Sequence, residues 1–379
     1  VSVEVSATGV GRFGKRDGSL VDLLAEAGAE ALEGLGRKSV DLLVVGHMAG
    51  GSLASVENVA PKLADRLGLD GRAALRVEAA SASGAAAFHT AVGLVASGAF
   101  ERALVVAGEK MTGLPNPEVA KALAGSLAPS EVAHGATMPG LAALVAVRYL
   151  EQYGVPEEAL DAVSVQARTA AARNAKAQFP TEVTAAEVRA SRPIALPLRL
   201  LHCAAVSDGA AAVVVERGSG PATVLGLGQA TDHVELVERA ELTSFRATRL
   251  AAKHAYEVAH LTRKEIDFAE LHDAFAPFAW IDLEDIGVVG PGEAAGWFDQ
   301  GETRPDGRFP VNPSGGILGR GHPVGASGLV QVAELARQLR GEAGPLALPR
   351  RPRRGLAQSI GGLGAHNFVE ILGDGGGAT

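Results

Sequence analysis

Asn312-Pro313-Ser314-Gly315-Gly316-Ile317-Leu318-Gly319-Arg320-Gly321-His322-Pro323-Val324-Gly325 packs five glycines and two prolines into fourteen residues. Proline fixes φ, and glycine admits conformations closed to other residues, so this density specifies one tight loop rather than a flexible linker. His322 sits inside the loop and is fixed by Pro323. An imidazole held this way can act as a general base toward a nucleophile, although a lone histidine in a loop is more often structural. Directly after the loop, Ala326-Ser327-Gly328 opens a helical pattern that runs to Arg340.

The same signals occur earlier in the chain, in the same order. A helical segment leads into Arg37-Lys38-Ser39-Val40-Asp41 and then an apolar run ending at His47. Later, a helical segment leads into Arg263-Lys264-Glu265-Ile266-Asp267 and a run ending at His272. Ala82-Ser83-Gly84 opens a long helix in the first half, as Ala326-Ser327-Gly328 does in the second. Each match is short and could arise by chance. Their shared order implies two copies of one α/β unit.

The apolar runs Val40–Val45, Ala103–Ala107, Ala210–Val215 and Phe368–Leu372 read as strands covered on both faces. Helical patterns alternate with them over Leu20–Leu35, Gly84–Ser97, Leu141–Tyr153, Pro156–Asn174, Thr248–His260 and Gly328–Arg340. Several stop at glycine (Gly98, Gly154, Gly341), as helix C-termini tend to do. From about Thr112 to Leu201 the chain is helix-rich and punctuated by prolines. This stretch reads as an insertion laid over one end of the core, either covering a ligand or only burying apolar surface.

Three further segments could carry chemistry. In Val77-Glu78-Ala79-Ala80-Ser81-Ala82-Ser83-Gly84, Ser81 falls at or near the start of a helix that is apolar on nearly every face. Free N–H groups and the positive dipole end there favour negative charge developing on a reacting atom. Ser81 or Ser83 could equally be a simple N-cap. In Leu271-His272-Asp273-Ala274-Phe275, His272 could donate a hydrogen bond to a substrate carbonyl oxygen, which is oxyanion-hole work; alternatively, His272 and Asp273 cap the helix that follows. In Gln358-Ser359-Ile360-Gly361-Gly362-Leu363-Gly364, a strand-to-turn passage, backbone N–H groups could face an anion.

Composition narrows the class. The chain has 379 residues, enough for two or three packed units, and is 47% hydrophobic but only 4% aromatic. Its core must therefore be built from Ala, Val and Leu. A net charge of −8 argues against nucleic acid as a partner. One cysteine, Cys203, excludes internal disulfides and multi-thiolate zinc sites, so no metal is expected. Residues Val1 to Gly14 show no signal-peptide pattern and no membrane span is expected, which makes a cytoplasmic protein the default. Arg350-Arg351-Pro352-Arg353-Arg354 reads as a solvated basic loop, with a partner or the phosphates of a ligand as the alternative.

Taken together, these segments resemble the thiolase superfamily, in particular archaeal acetoacetyl-CoA thiolases and sterol-carrier-protein-type thiolases. The ordered matches are Glu78–Gly84, Glu109-Lys110-Met111-Thr112, Ser207-Asp208-Gly209-Ala210-Ala211-Ala212, His272–Phe275, Asn312–Gly328 and Gly361–Gly364. The resemblance implies an α/β fold, a five-layer αβαβα sandwich of two duplicated halves with an inserted helical loop domain. Residues 1–111 would form the N-terminal half and 112–201 the loop domain. Residues 202–379 would supply the last strand of the first half and the whole C-terminal half. It also implies that positions 81 and 322 hold the nucleophile and its base. His272 would help form one oxyanion hole, and the N–H groups of Ser81 and Gly361 the other. Coenzyme A and acyl-CoA thioesters would be substrates, with no covalently bound cofactor. The protein would be a homodimer or homotetramer, and a small OB-fold, zinc-ribbon acyl-CoA-binding protein is a plausible partner.

Serine, however, stands where the family has its nucleophilic cysteine. The family's second cysteine matches either Ser359 or Ala274, and neither is cysteine here. A thiolate forms readily beside histidine, whereas a serine hydroxyl must lose its proton during attack. An acyl-serine ester is also more stable than the thioester that formed it, so returning the acyl group to a thiol runs uphill. The expectation is an acetyl-CoA C-acetyltransferase-like enzyme with impaired turnover. The alternatives are a diverged CoA-ester aldolase or lyase and a non-catalytic acyl-CoA-binding scaffold.

Overall fold

The computed structural model describes residues 2–36 and 39–375. The chain begins β1 (Val3–Val10), α1 (Leu20–Leu35), β2 (Leu42–Gly46), α2 (Gly50–Ala54), α3 (Val59–Arg66), β3 (Ala73–Val77), α4 (Ser83–Ala96), β4 (Arg102–Glu109). A mostly helical stretch follows: α5 (Asn116–Ala124), α6 (Pro129–Ala133), α7 (Met138–Tyr153), α8 (Leu160–Ala171) and α9 (Ala185–Ala190), then a short hairpin of β5 (Pro193–Ala195) and β6 (Leu198–Arg199). After β7 (Gly209–Arg217) and β8 (Thr223–Thr231) come α10 (Arg246–Ala259), β9 (Phe268–Glu270), α11 (Ala276–Asp285) and α12 (Ala294–Asp299). The last elements are α13 (Gly316–Arg320), α14 (Ser327–Arg340), β10 (Arg354–Gly361) and β11 (His366–Gly373).

The strands are ordered β3-β2-β4-β7-β1-β8-β11-β10-β9. Within this order the duplication inferred from sequence is explicit. In the first half β2 and β4 are parallel, β4 and β7 antiparallel, and β7 and β1 antiparallel. In the second half β9 and β10 are parallel, β10 and β11 antiparallel, and β11 and β8 antiparallel. The halves meet edge to edge through β1 and β8 at the single pair Glu4–Thr223. Arg37 and Lys38 of the first repeat motif lie outside the described residues.

Helices fill three layers around these two half-sheets. α1 is started by a reciprocal cap between Ser19 and Asp22, and it buries Leu20, Leu23, Leu24, Ala27 and Ala31 on the outer face of the first half-sheet. α10 packs in the corresponding place on β8 and β11. Between the half-sheets, α4 and α14 lie against each other and contact strands on both sides, which gives five layers. The two inner helices cross closely because glycine stands at the contact. A Cβ on Gly84 would lie 2.8 Å from the Leu329 nitrogen, and one on Gly328 would lie 2.8 Å from Ala85. Burial of every residue from Ser83 to Phe88 explains why the first turns of α4 have almost no polar face.

The sequence reading of Leu20–Leu35 agrees with α1 residue for residue. Pro156–Asn174 instead divides into a 3-10 turn at Glu157–Ala159 and α8, as Pro156 sets up the turn.

Candidate active site

Ser81 lies on a tight turn between β3 and α4. Ala80, a non-glycine residue, takes a left-handed φ of 50°. It is held there from both sides: its N–H donates to Glu78 Oε1 (2.5 Å), and its carbonyl accepts from Ser83 Oγ (2.6 Å). Ser83 Oγ also accepts from the Ala79 N–H (3.0 Å). Such backbone conformations are costly and persist where the surroundings over-determine them. Ser83 thus staples the turn, while Ala82 is the N-cap residue and caps with no side chain. Ser81 is therefore not a helix cap. It is 8% exposed, and its hydroxyl makes no hydrogen bond among the described residues.

Two other motifs pack directly on this turn. A Cβ on Gly361, at the end of β10, would lie 2.6 Å from the Ala79 carbonyl oxygen. A Cβ on Gly84 would lie 2.9 Å from the Gly325 oxygen, so the glycine-rich loop abuts the start of α4. Glu109, fully buried at the end of β4, fixes that loop. Its carboxylate accepts from the N–H groups of Met48 (2.8 Å), Ala49 (3.2 Å) and Gly325, and burial pushes its pKa up to about 7 against these bonds.

The His322 and His272 rings meet edge to face, with centroids 5.2 Å apart. His322 Nδ1 lies 2.8 Å from Ser327 Oγ. Desolvation, with Arg320 nearby, pushes His322 down to about 3. His272 is also held well below the usual histidine value by burial first, then by His322 and Arg320. Both imidazoles are therefore neutral at physiological pH. The His272 backbone N–H donates to Gln358 Oε1 (3.1 Å), which ties the His272 and Gly361 motifs together, and His272 Nδ1 is buried without a partner among the described residues.

Asp273 does not cap the helix after it: the N-cap residue of α11 is Phe275, and no side chain caps it. Instead Asp273 accepts from the N–H groups of Ile317 (2.6 Å) and Leu318, so it caps α13 inside the glycine-rich loop. Arg320 is 1% exposed and faces Glu270 at 3.6 Å, with Ser314 Oγ between them. Burial raises Glu270 to about 7 despite Arg320. Sequence reasoning missed Glu109, Glu270 and Arg320 as buried supports, because charged residues usually read as surface. Cys203 is not an activated thiol: burial pushes it up to about 12. Among the described residues there is no cluster of metal-ligating side chains, and no helix is long and apolar enough to cross a membrane.

A recess of about 560 Å³ adjoins the site, lined by Ala79, Ala80, Gly361 and Gly362 together with Met48 and Arg76. Another recess, about 1090 Å³, runs along α8, and neither recess is lined by Ser81, His272 or His322.

The thiolase N-terminal domain family matches residues 1–195, and the thiolase C-terminal domain-like family matches residues 228–374. The chain belongs to the thiolase family. Among the relatives of this thiolase is an acetyl-CoA acetyltransferase of Methanothermobacter thermautotrophicus, 40% identical over 97% of this chain and 99% of that protein. Among solved structures, the Ltp2-ChsH2(DUF35) aldolase superposes with a TM-score of 0.85 at 26% identity, covering 100% of this chain and 99% of that one. The Acat5 thiolase of Ascaris suum in complex with coenzyme A superposes with a TM-score of 0.73 at 18% identity over 99% and 100% of the two chains, which supports the fold.

Proposed function

We propose that this thiolase acts on acyl-CoA thioesters as an acetyl-CoA C-acetyltransferase-like enzyme, with Ser81 in the acyl-accepting position and turnover far below that of a cysteine thiolase. The observation that carries this reading is the convergence of three motifs. A strained turn presents an unbonded Ser81 hydroxyl, Gly361 packs on that turn, and two neutral imidazoles meet 5.2 Å apart on the loops that adjoin it.

In the first step Ser81 Oγ attacks the thioester carbonyl and its proton passes to His322. With Nδ1–H directed at Ser327 Oγ, the Nε2 of His322 is the free basic nitrogen. The carbonyl oxygen becomes an oxyanion, stabilised by His272 on one side or by the Ser81 and Gly361 N–H groups on the other. When the C–S bond breaks, the CoA thiolate takes back the proton and leaves, and an acyl-serine ester remains. A histidine pushed down to about 3 is a weak base, adequate beside a thiol but poorly matched to a serine hydroxyl. The more stable oxygen ester then resists transfer back to a thiol. Both effects slow the cycle.

A second reading is an aldol or retro-aldol reaction on a CoA ester, where the histidines polarise the thioester and move a proton without an acyl-enzyme. The similarity to the Ltp2-ChsH2(DUF35) aldolase favours it, and with it a small partner protein for this chain. The retained pair His272 and His322 favours acyl transfer. The exposed edge of β3 suits association into a homodimer or homotetramer in the cytoplasm.

The test compares the protein with Ser81→Cys on acetoacetyl-CoA plus CoA, following thiolysis and acyl adducts by intact mass. Turnover by the cysteine variant alone supports the acyltransferase site. Failure of both, with CoA esters still bound, removes it and leaves the aldolase or scaffold roles.

A further inference from the structure

At the opposite end of the second half-sheet from His272 and Gly361, the loops before β9 and β10 enclose a recess of about 450 Å³. β10 alone separates it from Gly361 by about 23 Å at ~3.3 Å per residue. Five cations line this recess: Arg263, Lys264, Arg308, Arg350 and Arg351. Only Asp267 and Asp306 oppose them, and Asp267 Oδ2 is already used by the N–H groups of Arg353 (2.7 Å) and Arg354 (2.9 Å).

The cations are oriented without being neutralised. Arg263 donates to the carbonyls of Gly287 and Val288 and lies over the Phe309 ring at 5.8 Å. Arg308 lies over Trp297 at 5.0 Å. Lys264, Arg308 and Arg350 form no ion pair among the described residues. Pro305, Pro310, Pro349 and Pro352 stiffen the walls. Gathering five cations repels the folded state, and an anion would offset that repulsion. The chain as a whole carries −8, so this charge is a local feature and not part of a general basicity.

We infer that this recess, where Lys264, Arg308 and Arg350 converge, binds a small ligand carrying two or more adjacent phosphate groups. Several unpaired cations call for more than one negative charge, and the volume falls in the small-ligand range. An extended nucleic acid would be disfavoured by the chain's net charge of −8. The site is separate from the one proposed for acyl-CoA chemistry and does not depend on it.

The experiment titrates the full chain by calorimetry at low salt with inorganic pyrophosphate, ADP and adenosine. Pyrophosphate and ADP should bind, adenosine should not, and affinity should fall as salt rises. The double variant Arg308→Gln/Arg350→Gln should weaken binding about tenfold or more, and Lys264→Gln independently several-fold, while the ligand-free Tm does not fall, since the repulsion among the cations is relieved. Binding of ADP but not pyrophosphate, lost in the double variant, also supports the site and makes the nucleoside part of its recognition. Binding of adenosine as tight as that of ADP, binding unaffected by these variants, or no binding of either phosphate probe overturns the inference.

Discussion

Ser327 Oγ lies 2.8 Å from Nδ1 of His322, and the same hydroxyl reaches back to the Pro323 carbonyl at 3.4 Å. That chain orients a donor Nδ1–H and leaves Nε2 of His322 as the basic nitrogen. Ser327 is the counterpart, in the second repeat, of Ser83, whose hydroxyl staples the Ser81 turn. One serine per repeat thus fixes one partner of the site.

Ser327→Ala should release the His322 ring and scramble its tautomer. Measured in the Ser81→Cys protein, kcat for thiolysis should fall about tenfold with KM little changed, as expected for the loss of one orienting hydrogen bond. A lower Tm with unchanged kcat would mean that Ser327 serves packing alone.

Gly361→Ala should damage the site from the other side. The new methyl would sit 2.6 Å from the Ala79 oxygen and 2.9 Å from the His366 oxygen, both backbone atoms that yield only if a strand or the Ser81 turn moves. A stability loss of about 1–3 kcal/mol is expected from overpacking. Acyl-adduct formation in the Ser81→Cys background should fall much further than stability explains. Adduct yields equal to those of the parent would show that the turn tolerates the shift.

Much of this arrangement was legible in the sequence, for identifiable reasons. α1 declared itself through its cap and apolar stripe, and the two repeats through Ala82-Ser83-Gly84 and Ala326-Ser327-Gly328. β8 was not legible, because Gly226 and Gly228 interrupt it and look like loop residues. They are there because α10 packs onto the strand backbone: Cβ atoms would lie 2.2 Å from the Ala255 oxygen and 1.9 Å from the Ala251 oxygen. Strand order was unreadable for a different reason. Continuous apolar runs such as Ala210–Val215 show burial on both faces but carry no mark of their neighbour. The segments around Ser81, His272, His322 and Gly361 could be picked out as candidates from their glycine-rich and helix-start patterns. The alternative in which Asp273 helps to cap the following helix does not hold, because its carboxylate reaches across to α13.

The Glu270–Arg320 pair should respond asymmetrically. Glu270→Ala leaves the 1% exposed Arg320 guanidinium without its counter-charge, and a loss of about 3–5 kcal/mol is expected. Arg320→Leu should cost less, since Glu270, already raised to about 7, can take a proton and become neutral. Urea denaturation of both variants at pH 8, where the parent's Glu270 is ionised, gives the comparison. Equal losses, or a larger loss for Arg320→Leu, would contradict it.

Glu109 should make the stability difference between the parent and Glu109→Gln depend on pH. Burial raises its pKa from 4.5 to about 7, so the folded protein keeps a proton there that the unfolded chain has released over this range. Stability from this group is therefore fully present below about pH 4.5 and is lost as pH rises through about 7. Glutamine does not titrate, so the parent's advantage over Glu109→Gln should shrink from pH 5 to pH 8, by up to about 3 kcal/mol. His47, pushed down to about 4 by burial, has the opposite dependence, but it is present in both proteins and cancels in the difference. Thermal unfolding at pH 5, 6, 7 and 8 reads the effect directly. A gap that stays constant would mean the folded-state pKa is ordinary. A gap that widens would mean the three N–H donors from Met48, Ala49 and Gly325 outweigh burial and hold the carboxylate ionised around the His322 loop.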